Sequence, residues 1–153
     1  MFNSRKYWDE RYKKNGNSGD GSYNELSEFK AEVINSFIKE FNINTLIDYG
    51  VGDGNQLKLI DTSNIKYTGI DVSPTIINKC KELFKDDTSK IFILDNNINN
   101  INADVVISCD VIYHLVEDYV YEKYMENLFN MSSRYVIIYA RDEDFRLAEH
   151  VKF

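Results

Sequence analysis

Residues 45–55 read TLIDYGVGDGN. TLIDY is a short apolar run stopped by a glycine, the pattern of a buried β-strand. Gly50, Gly52 and Gly54 follow at alternate positions. Glycine lets the main chain turn tightly and come close to a ligand. A strand that enters such a turn and then a helix is the setting a nucleotide-type loop requires. The spacing is G-x-G-x-G, and Asn55 stands where a dinucleotide loop would want Gly or Ala. Asp53 adds a carboxylate inside the loop. That charge is unfavourable beside a pyrophosphate and tolerable beside a cation. The loop therefore argues against NAD or FAD and for a ligand with positive charge, the bland alternative being a turn that binds nothing.

Working outward, strands are expected at Lys66–Asp71, Ile91–Leu94, Ala103–Ser108 and Tyr135–Ala140, all near-continuous apolar runs. Between them, Ser73-Pro74 is a helix start, with an N-cap oxygen followed by proline at the first helical position. Ile76, Ile77, Cys80, Leu83 and Phe84 form that helix's inward face. Asp118–Met131 is a further helix, and Gln56–Asp61 a short one. Upstream, Ser22 and Glu25 fit a capping box. Leu26, Phe29, Val33, Ile34, Phe37, Ile38 and Phe41 then recur at helical spacing. Residues 15–22 hold three glycines and read as a mobile loop, and the tail from Asp142 as one more helix.

Strand–helix alternation with apolar strands implies a parallel sheet covered on both faces. The expectation is a single Rossmann-like α/β/α sandwich with a mostly parallel sheet. Residues 1–42 form a helical cap or lid, 43–141 the binding core and 142–153 a short tail.

Composition narrows the partners. The chain has 153 residues, 43% apolar and 14% aromatic, with a formal charge of −7. An acidic surface repels phosphate backbones, so nucleic acid is a poor partner. No run approaches the roughly 20 apolar residues of a membrane span. Cys80 and Cys109 lie far apart without a CxxC frame, and no charged-then-apolar leader opens the chain. A cytoplasmic protein with reduced thiols is expected. Two histidines exclude a His-rich metal site.

Ligands of such sheets bind beyond the carboxyl ends of the strands. Asp71, which ends the second strand, suits a pair of ribose hydroxyls. Asp95, with Asn96, suits an adenine amino group, although Asp-Asn also forms ordinary turns.

DYGVGDG (48–54), GIDVS (69–73), LDN (94–96) and DVVISCDVIYHL (104–115) occur in the order and approximate spacing of the class I S-adenosylmethionine-dependent methyltransferases, which this chain resembles over about residues 44–140. The resemblance implies that S-adenosylmethionine is the cofactor and S-adenosylhomocysteine the product. It implies that Asp48 orders the loop near the ligand ammonium and that Gly50, Gly52 and Gly54 admit the methionine part. Asp71 with Val72 would bind ribose, and Asp95 with Asn96 adenine. Ser108, Cys109 and Asp110 would border the sulfonium. YWDERY (7–12) resembles a segment preceding the core in some small-molecule members, where Arg11 would pair with the ligand carboxylate and Trp8 would cover the site. His114, Tyr113 and Asp110 are the catalytic candidates.

The fourth strand ends without the Asn-Pro-Pro-Tyr of amine-directed DNA methyltransferases, and no Pro-Cys pair offers a cytosine nucleophile. Small molecules, sugars or a protein side chain remain as acceptors. Family members usually carry two more strands after the fifth, and only 13 residues follow Ala140 here. The fifth strand is then expected at a sheet edge, where it invites self-association as a homo-oligomer. A non-catalytic ligand-binding or partner-regulating module is the alternative to an enzyme, and a dinucleotide-dependent oxidoreductase is a third reading.

Overall fold

A computed structural model describes residues 2–141 and 148–152. Nine elements position the site: α1 (Ser4–Lys13), α2 (Asn24–Glu40), β1 (Thr45–Tyr49), β2 (Lys66–Asp71), α3 (Pro74–Leu83), β3 (Lys90–Leu94), β4 (Ala103–Cys109), α4 (Asp118–Asn130) and β5 (Ser132–Tyr139). The strands form one sheet in the order β3-β2-β1-β4-β5, and every pairing is parallel. Chain order reverses between β1 and β4, so the crevice at their carboxyl ends is the switch point where such sheets take ligands.

Alternation along β1 divides the core. Leu46 joins Ile34, Val51, Tyr67, Ile77 and Val105 on one face. Ile47 joins Ile70, Val106, Tyr124 and Leu128 on the other. Thus α2 and α3 cover one side and α4 the other, as a Rossmann-like sandwich requires. The N-cap of α3 is as read: Ser73 Oγ accepts from Ile76 N at 3.2 Å, with Pro74 at the first helical position. Gln56–Asp61 shrinks to a 3₁₀ turn at Leu57–Leu59. The tail helix expected from Asp142 falls largely outside the described residues.

Three local expectations are corrected. The capping box fails: Tyr23 is the N-cap of α2 and makes no side-chain capping bond, while Ser22 ends a separate 3₁₀ turn. Residues 15–22 are pinned rather than loose, because Ser18 N donates to Asp53 Oδ2 (2.9 Å) and Asp53 N to Ser18 Oγ (2.8 Å). The periodicity of α2 is right but its first turns face elsewhere. Ser27, Lys30, Ala31 and Ile34 are buried, whereas Leu26, Phe29 and Val33 are exposed. Lys30 turns inward to an ion pair with Asp110. As expected, β5 is an edge strand among the described residues, and its residues are only half-buried or exposed. No helix of the described residues is long and apolar enough to cross a membrane.

Candidate ligand site at the carboxyl ends of the strands

The glycine loop is stitched to the neighbouring strand: Gly50 N and Val51 N both donate to the Ile70 carbonyl, at 2.8 and 3.0 Å. Gly50 and Gly52 take φ of +101° and +58°, the left-handed region that L side chains avoid. A Cβ at Gly50 would stand 2.4 Å from Val111 Cγ2, and one at Gly52 would stand 2.3 Å from Ser18 Oγ. Both line a cavity of about 240 Å³. Gly54 does not; its open side meets Phe84 and Cys80 of the α3 layer, so it serves helix packing.

Asp71 is 7% exposed and belongs to the same cavity wall. Its Oδ2 accepts from Gly52 N and its Oδ1 from Ser73 N, both at 3.0 Å. Burial pushes its pKa up to about 6 against these donors. Asp95 also lines the cavity. Its Oδ2 accepts from Arg5 Nη2 at 2.5 Å, while its buried Oδ1 has no hydrogen-bond partner among the described residues. Val72 completes this wall, and Asn96 lies on an adjoining outer groove.

Asp48 sits beneath the loop rather than on the wall, with Oδ2 accepting from Tyr67 Oη at 2.8 Å. Burial raises its pKa to about 6, opposed by the Tyr67 donor. A free aspartate titrates near 3.9, so the folded chain holds this proton more tightly than the unfolded one. Its contribution to stability is complete below about pH 4 and is lost as pH rises through about 6. Asp48→Asn is expected to raise the unfolding free energy by roughly 2 kcal/mol at pH 7 and hardly at all at pH 4. Denaturant titrations at both pH values check this; equal changes at the two would refute it.

Asp53 is turned away from the cavity. Its Oδ2 accepts from Tyr23 Oη (2.6 Å) and Ser18 N, and its Oδ1 from Asn55 N (3.1 Å). Burial opposes its charge, yet these donors hold its pKa below the ordinary value. It ties the N-terminal segment to the glycine loop.

Beyond β4, Cys109, Asp110 and His114 line the cavity and Tyr113 does not. Asp110 adopts φ +59°. Its Oδ2 accepts from the buried Lys30 ammonium, and its Oδ1 from Tyr113 Oη at 3.0 Å. Burial, then the Asp110 charge, raises the Tyr113 pKa. Burial likewise pushes the Cys109 thiol up to about 12, so it is no thiolate at neutral pH. Ser108 is fully buried and lies close to Tyr124 Oη, 2.7 Å away, behind the cavity wall. The His114 Nδ1 lies 2.9 Å from the His150 carbonyl, so we assign the proton to Nδ1 and the free lone pair to Nε2. Burial lowers its pKa to about 4. Its ring packs edge-on to Trp8 (4.9 Å) and over His150 (5.3 Å).

Helix α1 covers the cavity with Ser4, Arg5, Trp8 and Tyr12. Trp8 thus stands where a cover was expected. Arg11 does not reach the cavity. Its Nε donates to the Asn17 carbonyl at 2.7 Å and its guanidinium lies 5.4 Å from the Trp8 ring, which leaves it bracing the 15–22 segment.

A family model described as a methyltransferase domain matches residues 46–133. The chain belongs to the methyltransferase domain family. Solved structures share its fold. The bacterial CtHen1-C methyltransferase domain is 24% identical over 74% of this chain and 65% of that one, with a TM-score of 0.63. The N-methyltransferase NodS from Bradyrhizobium japonicum, solved with S-adenosylhomocysteine, is 15% identical over 86% and 69% of the two chains, with a TM-score of 0.69. Magnesium protoporphyrin IX methyltransferase from Synechocystis, solved with S-adenosylmethionine, is 15% identical over 97% and 82%, with a TM-score of 0.68. This methyltransferase domain therefore spans less than two thirds of the CtHen1-C chain. No curated protein sequence matches it.

Several residues at this candidate site were invisible to sequence reasoning. Arg5, six positions before Arg11 on another face of the same helix, lines the cavity and bonds Asp95, a contact distinct from the ligand-carboxylate pairing expected of Arg11. Ser18, Lys30 and Glu117 reach the site from segments distant in sequence, Glu117 by accepting from Ser4 N at 2.9 Å. No local pattern encodes such contacts. Tyr12, which also lines the cavity, is the last residue of the YWDERY segment.

Proposed function

We propose that the chain binds S-adenosylmethionine at the strand ends and transfers its methyl group to a small-molecule or sugar-type acceptor. The observation that carries this reading is convergence: Gly50, Gly52, Asp71, Asp95 and Cys109, from the ends of β1 to β4, meet on one cavity. The residues suit such a ligand. Asp95 Oδ1 is a buried acceptor awaiting a donor, as an adenine amino group would be. Asp71 has lone pairs left for ribose hydroxyls. Gly50 and Gly52 keep the loop open for the methionine part, and Asp48 adds negative charge beneath an ammonium group. Cys109 and Asp110 stand at the sulfonium end.

Bound there, S-adenosylmethionine supplies a methyl group already activated on sulfur. The chain's work is then mainly to orient the acceptor and shut out water. Trp8 and Tyr12 exclude water from above. His114 stays neutral at pH 7, and a pKa near 4 makes it a weak base. It serves better to accept a hydrogen bond from the acceptor than to strip a firmly held proton. Asp110, which accepts from both Tyr113 and Lys30, holds this wall in place.

Those same engagements favour one other reading, a non-catalytic S-adenosylmethionine-binding module, since Asp110 and Tyr113 are already occupied. Calorimetric titration with S-adenosylhomocysteine and with NAD tests the ligand, and release of S-adenosylhomocysteine in the presence of hydroxylated and amine acceptors tests transfer. Micromolar binding of the first ligand alone is expected. Binding of NAD instead would overturn the reading, and binding without release would select the module.

A further inference from the structure

The pairing between Arg5 and Asp95 is unusual in being incomplete. Arginine and a free carboxylate commonly meet through two parallel hydrogen bonds. Here Arg5 Nη2 takes only Asp95 Oδ2, at 2.5 Å, while Nη1 leans 3.4 Å away to the Val72 carbonyl. The second oxygen, Oδ1, stays buried with no hydrogen-bond partner among the described residues. An unsatisfied buried acceptor is costly, so the arrangement stores a demand for one more donor. Arg5, Val72 and Asp95 all lie where the inner cavity opens into the outer groove.

The arginine also arrives on a strap. Ser4 N is bonded to Glu117 Oε1 at 2.9 Å, and Ser73 Oγ donates to Asp9 Oδ1 at 2.6 Å. With Arg5 on Asp95, α1 is tied to the residues following β2, β3 and β4. The carboxylate rotamer and the seating of α1 are thus one structural event.

We propose that Arg5 is a specificity-determining residue that holds Asp95 with one oxygen reserved, so that the site selects a 6-amino purine over a 6-keto purine. This inference rests on the adenosyl reading given above. An amino group donates to the reserved oxygen, whereas a keto oxygen would set acceptor against acceptor. With Arg5 absent, Asp95 can turn or take up water, and the contrast between the two bases shrinks.

The test is calorimetric titration of the full chain with S-adenosylhomocysteine and with S-inosylhomocysteine. The unaltered chain should prefer the adenosyl ligand by about 100-fold. Arg5→Ala should cut adenosyl affinity about 10-fold and lower the preference to below about 10-fold, with Arg5→Lys between the two. Lys6→Ala, a neighbouring charge exposed to solvent and paired with Glu10, should leave both values unchanged. An Arg5→Ala protein that binds more weakly but keeps its full preference would reduce Arg5 to a structural tie and overturn the proposal. If neither ligand binds the unaltered chain, the adenosyl reading itself falls.

Discussion

An Asp71→Ala protein is expected to bind S-adenosylhomocysteine about 100-fold more weakly than the unaltered chain, a loss of about 2.7 kcal/mol. Two effects add. The side chain is the proposed partner of both ribose hydroxyls, and charge-assisted bonds of that kind are the strong ones. It also gathers Gly52 N and Ser73 N onto its two oxygens, which sets the glycine loop against the start of α3. Alanine leaves those buried donors without an acceptor, so the loop loses its shape together with the contact. Asp71→Asn should fall between, because one carboxamide oxygen can serve one N–H while its amino group opposes the other. Calorimetry on the three proteins checks the order. Affinity within 3-fold of the unaltered chain for Asp71→Ala would remove the ribose role.

Lys30→Met is expected to cost about 3–5 kcal/mol of stability, the usual penalty for breaking a buried ion pair from one side. The Lys30 side chain is only 2% exposed, and its ammonium bonds Asp110 and sits 5.2 Å from the Tyr139 ring centre. Methionine fills much of the same space but leaves Asp110 charged and largely buried. A domain of ordinary stability, about 5–15 kcal/mol, would lose a large share of it. Adding Asp110→Asn to Lys30→Met should restore most of the loss, since the uncompensated charge is then gone. Denaturant unfolding of the singles and the double gives the coupling. A Lys30→Met cost below about 1 kcal/mol would show that the pair contributes little.

These two residues mark the boundary of what sequence could reveal. The place of Asp71 on the cavity wall was legible because it follows from position: the residue closes an apolar strand and precedes Ser73-Pro74, a helix start whose chemistry is local. The same holds for Gly50 and Gly52, fixed by the end of β1, and for Asp95 at the end of β3. Lys30 was not legible. Helical periodicity placed Leu26, Phe29, Val33, Ile34, Phe37, Ile38 and Phe41 on one apolar face of α2, whereas Lys30 turns inward to Asp110, 80 residues away, and Leu26, Phe29 and Val33 turn out. Arg5 and Arg11 pose the same problem on α1. At 100° per residue, six positions move a side chain about 120° short of two full turns, so composition cannot say which one meets the cavity. Asp53 counted as a charge beside the ligand because the loop was read alone. In the fold, Ser18 and Tyr23 claim its carboxylate. The apolar pattern of β5 suggested burial, while its place at the sheet edge leaves Ile138 37% exposed.

A crystal structure with S-adenosylhomocysteine tests most directly whether acidic strand tips and a glycine turn converge on one adenosyl ligand. The adenine amino group is expected within hydrogen-bond distance of Asp95 Oδ1, the ribose hydroxyls on Asp71, and the sulfur beside Cys109 under Trp8. A ligand seated away from Asp71 and Asp95, or a crevice left without it at saturating concentration, would rule out that convergence.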